Sequence, residues 1–178
     1  MRHQQDRILA INVRRSRFGY ALFEGPTSLL DWGASAISPQ IAPRAALEIA
    51  HKRIVSVIRL SCPAAIVVRL PRRTKAGNAV KSGSVQKAIL RVAATYQIPV
   101  HFLRRKDVHE TFHALHGRTK DEIAAVLAGI FPELLVRLPP QRKAWQSERH
   151  AMIVFDAIAT GFAYWQQCAT KDQVREES

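Results

Sequence analysis

Cations dominate the residues that could do chemistry in this chain, and they come in groups. Arg14, Arg15 and Arg17 sit almost together; Arg69, Arg72, Arg73, Lys75 and Lys81 follow one another through a Pro- and Gly-containing stretch. Arg104, Arg105 and Lys106 form a third group, with Arg118 and Lys120 close behind. Such groups suit phosphate, which a guanidinium grips through two parallel N–H bonds. A charge run is ordinarily a solvated face, so a phosphate role requires that the groups converge. The acids are sparse. Asp156 has Met152, Ile153, Ala159 and Thr160 as its neighbours three and four residues away, so no second acid shares its helical face. Glu148 lies eight residues back, roughly 12 Å along a helix axis. Among His101, His109, His113 and His116, the second and third have a zinc-compatible i, i+4 spacing, but no third ligand is evident. Ordinary surface or core histidines are the plainer reading. Cys62 and Cys168 share no metal-ligand or CxxC spacing and read as reduced thiols. Trp145 and Trp165 could stack on bases, although core packing is the ordinary role of such residues.

The composition narrows the partner. With 178 residues and 47% hydrophobic content, one domain with a sizeable core is expected, spanning 1–169 and followed by a flexible tail at 170–178. Lys and Arg number 27 against 14 acids, a net charge of +13. That balance favours a polyanion, nucleic acid first, with anionic lipid or plain solvation as alternatives. Met1 to Arg7 is polar and charged, and no apolar run approaches the ~20 residues of a membrane span. A cytoplasmic protein without membrane attachment is expected.

Local patterns predict what must position these groups. Ile8 to Ile11 is an apolar strand ending on Asn12; Val13 to Arg17 reads as a basic turn, and Phe18 to Phe23 as a returning strand. Leu29 to Ile37 completes an antiparallel meander. Pro43 opens a helix to about Leu60, and Ala64 to Val68 is short, apolar and β-branched, as a doubly buried parallel strand should be. A loop over Leu70–Ser84 precedes a helix over Val85–Gln97, a strand over Pro99–Leu103 and a helix over Lys106–Leu115. Thr119 and Glu122 have capping-box spacing for a helix reaching about Phe131. Pro132 to Trp145 reads as irregular, and Glu148 to about Cys168 as a buried final helix capped by Ser147. The order β-β-β-α-β-α-β-α-α-α implies an α/β fold, a mixed five-stranded sheet with an antiparallel meander, parallel strands and flanking helices. The right-handed crossover rule sets the Ala64 strand beside the Ile8 strand and brings Asn12 and Arg69 to one end of the sheet.

In this order, ILAIN followed by RFGYALFE, then PAAIVVR, then IPVHFLRRKDVHETFHALHGRTKDEIAAVLAGIFP, then FDAIATGFAYW, the chain resembles the RuvC-type Holliday junction resolvases of the RNase H-like superfamily. The resemblance runs over nearly the whole length and implies a metal-dependent endonuclease acting on branched DNA as a homodimer. It implies four carboxylates, which fall on Asn12, Arg69, Ile153 and Asp156; Lys120 falls near a basic residue of the family's active-site rim. Only Asp156 is an acid. Two-metal hydrolysis needs several anionic oxygens around ions about 3.5–4 Å apart, and Mg²⁺ is poorly held by one carboxylate. An amide adds one neutral oxygen, and a guanidinium repels a cation. Two readings of Arg69 stay open: it fills the space of the missing metal and pairs with Asp156, or it is a surface arginine at a strand end.

The expected function is therefore nucleic-acid binding, directed at branched or structured DNA, with hydrolysis lost or strongly impaired and no resident metal. Asn12 and Asp156 mark the family's catalytic positions. Arg14, Arg15, Arg17, Arg69, Arg72, Arg73, Lys75, Lys81, Arg118 and Lys120 are the candidate nucleic-acid contacts. Two alternatives are an active Mg²⁺- or Mn²⁺-dependent junction endonuclease, drawing acids from Glu24, Asp31 or Glu148 beside Asp156, and a non-catalytic assembly protein with an RNA or protein partner.

Overall fold

Alternating apolar residues along four of the strands are what build the centre of this molecule. The computed structural model describes residues 7–14, 17–36, 42–69, 79–138 and 151–176. Strands β1 (Arg7–Arg14), β2 (Arg17–Glu24) and β3 (Leu29–Ala36) form the meander; helix α1 (Pro43–Ser61) then leads to strand β4 (Ala65–Arg69). Helix α2 (Ala79–Thr95), strand β5 (Val100–Leu103), helices α3 (Arg105–His113) and α4 (Lys120–Ile130), a 3₁₀ turn over Pro132–Arg137 and helix α5 (Met152–Glu176) complete the order. The sheet runs β3-β2-β1-β4-β5, antiparallel in the meander and parallel from β1 to β5.

Strands β1, β2 and β4 divide their side chains between two cores, as period-two geometry requires. Ile8, Ala10, Ala21, Phe23, Ala65 and Val67 pack with α3, α4 and α5, whereas Leu9, Ile11, Phe18, Ile66 and Val68 pack with α1 and α2. The sheet is therefore covered on both faces, which explains why β4 carries no polar residue before Arg69. Helix α5 is buried at every position from Met152 to Ala163. Two glycines let it lie so close. A Cβ at Gly19 would fall against the backbone carbonyl of Ile153, and one at Gly161 would run into the ring of Phe23.

Several boundaries differ from expectation. The basic turn is shorter, because Val13 pairs with Phe18 and Arg14 with Arg17; continuing the ladder gives those backbone groups protein partners that a wider turn would leave to water. Helix α2 begins at Ala79, inside the expected loop, since a Ser-Gly-Ser stretch costs little once later turns are held by packing. Pro132–Arg137 is a 3₁₀ turn rather than irregular chain. Helix α5 continues to Glu176, past its expected end near Cys168, so 170–176 are helical. The Ser147 cap, Glu148 and Trp145 lie outside the described residues.

Candidate functional site

The strand ladder places the site before any side chain is considered. Parallel pairing of Ile11 with Val68, continued by one residue, sets Asn12 beside Arg69. Period-two alternation gives both residues the face that carries Ala10 and Val67, the face beneath α5. Arg69 in turn pairs with Leu103 of β5, so Arg104 and the start of α3 emerge at the same end of the sheet. The hairpin joining β1 to β2 closes there too, with Arg14 and Arg17 paired.

Asp156 projects from α5 into this corner and is met by two cations. Its Oδ1 accepts from Nη1 of Arg69 at 3.2 Å, and its Oδ2 is 2.9 Å from Nζ of Lys120. The three side chains are 8%, 14% and 20% exposed, respectively. The pairing of Arg69 with Asp156 is thus the arrangement present, and Lys120 joins it from the start of α4. A capping box anchors Lys120: Oγ1 of Thr119 accepts from the N–H of Glu122, while the Glu122 carboxylate accepts from the N–H groups of Arg118 and Thr119 at 2.7 and 3.0 Å. Those bonds hold the Glu122 carboxyl below its usual range. At the start of α3, Arg104 grips Asp107 through its guanidinium and backbone N–H, and that contact lowers the Asp107 carboxyl likewise.

His109 enters the same corner. Nε of Arg105 donates to its Nε2 at 3.1 Å, which requires a neutral imidazole with its proton on Nδ1. Burial, then Arg105, Arg69 and Lys120, push its pKa down, with Asp156 opposing them. No sequence signal pointed to His109 in this role; the i, i+4 spacing to His113 suggested zinc, yet His113 is exposed and no group of three metal-ligating side chains occurs among the described residues. His101 packs instead against Tyr164, with ring centres 5.1 Å apart and the planes tilted by 43°. Trp165 packs against the core beside Tyr164.

Of the other candidate acids, Glu148 lies outside the described residues, and Glu24 and Asp31 sit elsewhere on the sheet. Glu24 pairs with Arg7 at 2.8 Å, at the far end of β1 from Asn12. Asp31 accepts from the Tyr20 hydroxyl on β3, two strands over. The alternative that recruits these two is corrected by the ladder itself, which fixes them at other positions on the sheet. Ile153 is core, and its carbonyl rests on Gly19. Of the basic candidates, Arg15, Arg72, Arg73 and Lys75 lie outside the described residues; Arg14 and Lys81 are described by backbone alone, Arg17 is half-buried and Arg118 is exposed.

A pair of divalent ions fits these residues poorly. Both oxygens of Asp156 already face cations, a guanidinium stands at the neighbouring strand end, and Asn12 is 2% exposed with its Nδ2 donor buried and, among the described residues, without an acceptor. The amide of Asn12 can lend a cation at most one neutral oxygen and no charge. The corner gathers guanidinium, ammonium and amide donors around one carboxylate in a place of restricted solvent.

No protein-family model matches the sequence, and no curated protein matches it. Solved structures do. The chain is similar to RuvC of Thermus thermophilus, at 20% identity and a TM-score of 0.70, covering 92% of this chain and 97% of that one. It is similar to T. thermophilus RuvC in complex with a Holliday junction substrate, at 20% identity and 0.68, covering 88% and 90%. The yeast mitochondrial Holliday junction resolvase Ydc2 matches at 13% identity and 0.65, covering 93% of this chain and 80% of that one. The fold is that of the RuvC-type resolvases, a mixed RNase H-like sheet flanked by helices.

Proposed function

We propose that this protein uses a RuvC-type fold to bind nucleic acid, branched or structured DNA in particular, at the cationic end of its sheet, with hydrolysis lost or strongly impaired. One observation carries the reading. Where two-metal chemistry needs converging carboxylates, Asp156 is held by Arg69 and Lys120 beside an amide at Asn12. The net charge of +13 supplies sequence-independent attraction to phosphate. Arg17, Arg69, Arg105 and Lys120 stand on the hairpin, the β4 end and the starts of α3 and α4, elements that share one end of the sheet, which supports the reading. The solved complex of a similar fold with a Holliday junction supports a branched substrate for this chain.

The test is a four-way DNA junction and a linear duplex of equal length, incubated with the protein in EDTA, Mg²⁺ or Mn²⁺. The expected result is binding in all three conditions, steeply weakened by salt, with the junction preferred and neither DNA cut. Cutting in Mn²⁺ that disappears in Asp156→Ala would establish the active endonuclease instead. Retention of a protein partner after nuclease treatment, without affinity for either DNA, would establish the assembly role.

A further inference from the structure

Arg69 and Lys120 both face Asp156 at hydrogen-bond distance, each directed at a different oxygen of the carboxylate, at 3.2 and 2.9 Å. A nucleic-acid phosphate offers the same chemistry: two anionic or polarised oxygens on one centre, matched to a guanidinium and an ammonium. We propose that Asp156 is a resident anion that opposes nucleic-acid binding, occupying Arg69 and Lys120 until a phosphate displaces it. This rests on the proposed binding role and assigns that site its affinity-limiting residue.

Three observations support it. The acid belongs to α5, whose approach to the sheet is set by Gly19 and Gly161, so the carboxylate is delivered by a rigid helix rather than by a mobile surface chain. The two cations come from separate elements, the end of β4 and the start of α4, so only an anion at this corner engages both. Both side chains keep an exposed fraction, 14% and 20%, through which a phosphate oxygen can reach them. Among these three side chains the charge is two positive against one negative. The excess makes the corner attractive to phosphate, and the acid caps how attractive.

Charge arithmetic gives an ordering that a structural or catalytic acid would not produce. Asp156→Asn removes the competitor, Lys120→Gln leaves one cation matched by the acid, and the double variant restores the balance of the wild type. Affinity for a fluorescent four-way junction and for a duplex, in EDTA at ~100 mM salt, is expected to rank Asp156→Asn above wild type, the double variant near wild type, and Lys120→Gln lowest. Asp156→Asn should bind roughly three- to tenfold more tightly, with a log–log salt slope steeper by about 1. Equal or weaker binding by Asp156→Asn, with its melting curve intact, overturns the proposal. Where Asp156→Asn does not fold, the comparison of the double variant with Lys120→Gln decides: recovery of binding supports the resident anion, and no recovery overturns it. Wild-type protein that binds neither DNA sinks the binding role and this inference with it. Wild-type binding without the ranking sinks this inference alone.

Discussion

Charge balance at the level of single side chains separates this corner from a metal site. A carboxylate between two cations spends its field on them, leaving little for a third cation. Asn12 shows the same inversion differently, because its buried Nδ2 has no acceptor among the described residues and the cost of desolvating such a group is about 1–3 kcal/mol. Asn12→Val, which suits a strand and removes the orphan donor, should raise stability by ~1 kcal/mol in urea unfolding at constant m-value. His109 sets a pH dependence whose sign is definite. Burial and the neighbouring cations hold its folded pKa below the usual 6.5 of histidine, so the unfolded chain takes up the proton first. Its contribution is present above about pH 6.5 and is lost as the pH falls toward the depressed folded value. His109→Gln should flatten the melting temperature as the pH falls below about 6.5, while the losses from Asp107 and Glu122, whose folded pKa values are also lowered, remain at more acid pH.

Close contact between α5 and the sheet depends on missing side chains at the scale of elements. Gly19→Ala would drive a methyl into the Ile153 backbone, which cannot rotate away, and Gly161→Ala would strike the fully buried ring of Phe23. Each should cost about 1–3 kcal/mol or more by lifting α5, and with it Asp156. Gly129 is the internal control. Its Cβ position in α4 is open, so Gly129→Ala should be neutral or stabilising by up to ~1 kcal/mol in the same denaturation series. The α4 cap links stability to the site. Thr119→Ala should cost about 1 kcal/mol and lower nucleic-acid affinity as well, because Lys120 is the first residue of the helix that the cap organises. Unchanged affinity alongside the stability loss would detach the cap from the site.

On the scale of the whole molecule, the field of 27 basic residues against 14 acids acts over the Debye length, beyond any one contact. Binding should fall linearly on a log–log plot as salt rises from 50 to 200 mM, and adding EDTA at fixed ionic strength should leave it unchanged. Loss of binding on chelation would mean that an ion bridges protein and phosphate. No helix among the described residues is long and apolar enough to cross a membrane.

The strand order was written in local pattern: ILAIN, AAIVV and the meander between them carry period-two and all-apolar signals that permit few arrangements once crossovers are right-handed. The capping box at Thr119 and Glu122 was equally plain, because it depends only on residues three apart. Pairing of Arg69 with Asp156 could be anticipated from topology, since both fall at one sheet end. Position in space alone decided the rest. Lys120, set near the site by resemblance alone, reaches Asp156 across a long stretch of chain, His109 comes within its field, and Glu24 and Asp31 are carried away from it by a ladder register that no local signal encodes. Composition and periodicity are properties of neighbours along the chain, whereas the sign of a pocket is a sum over neighbours in space.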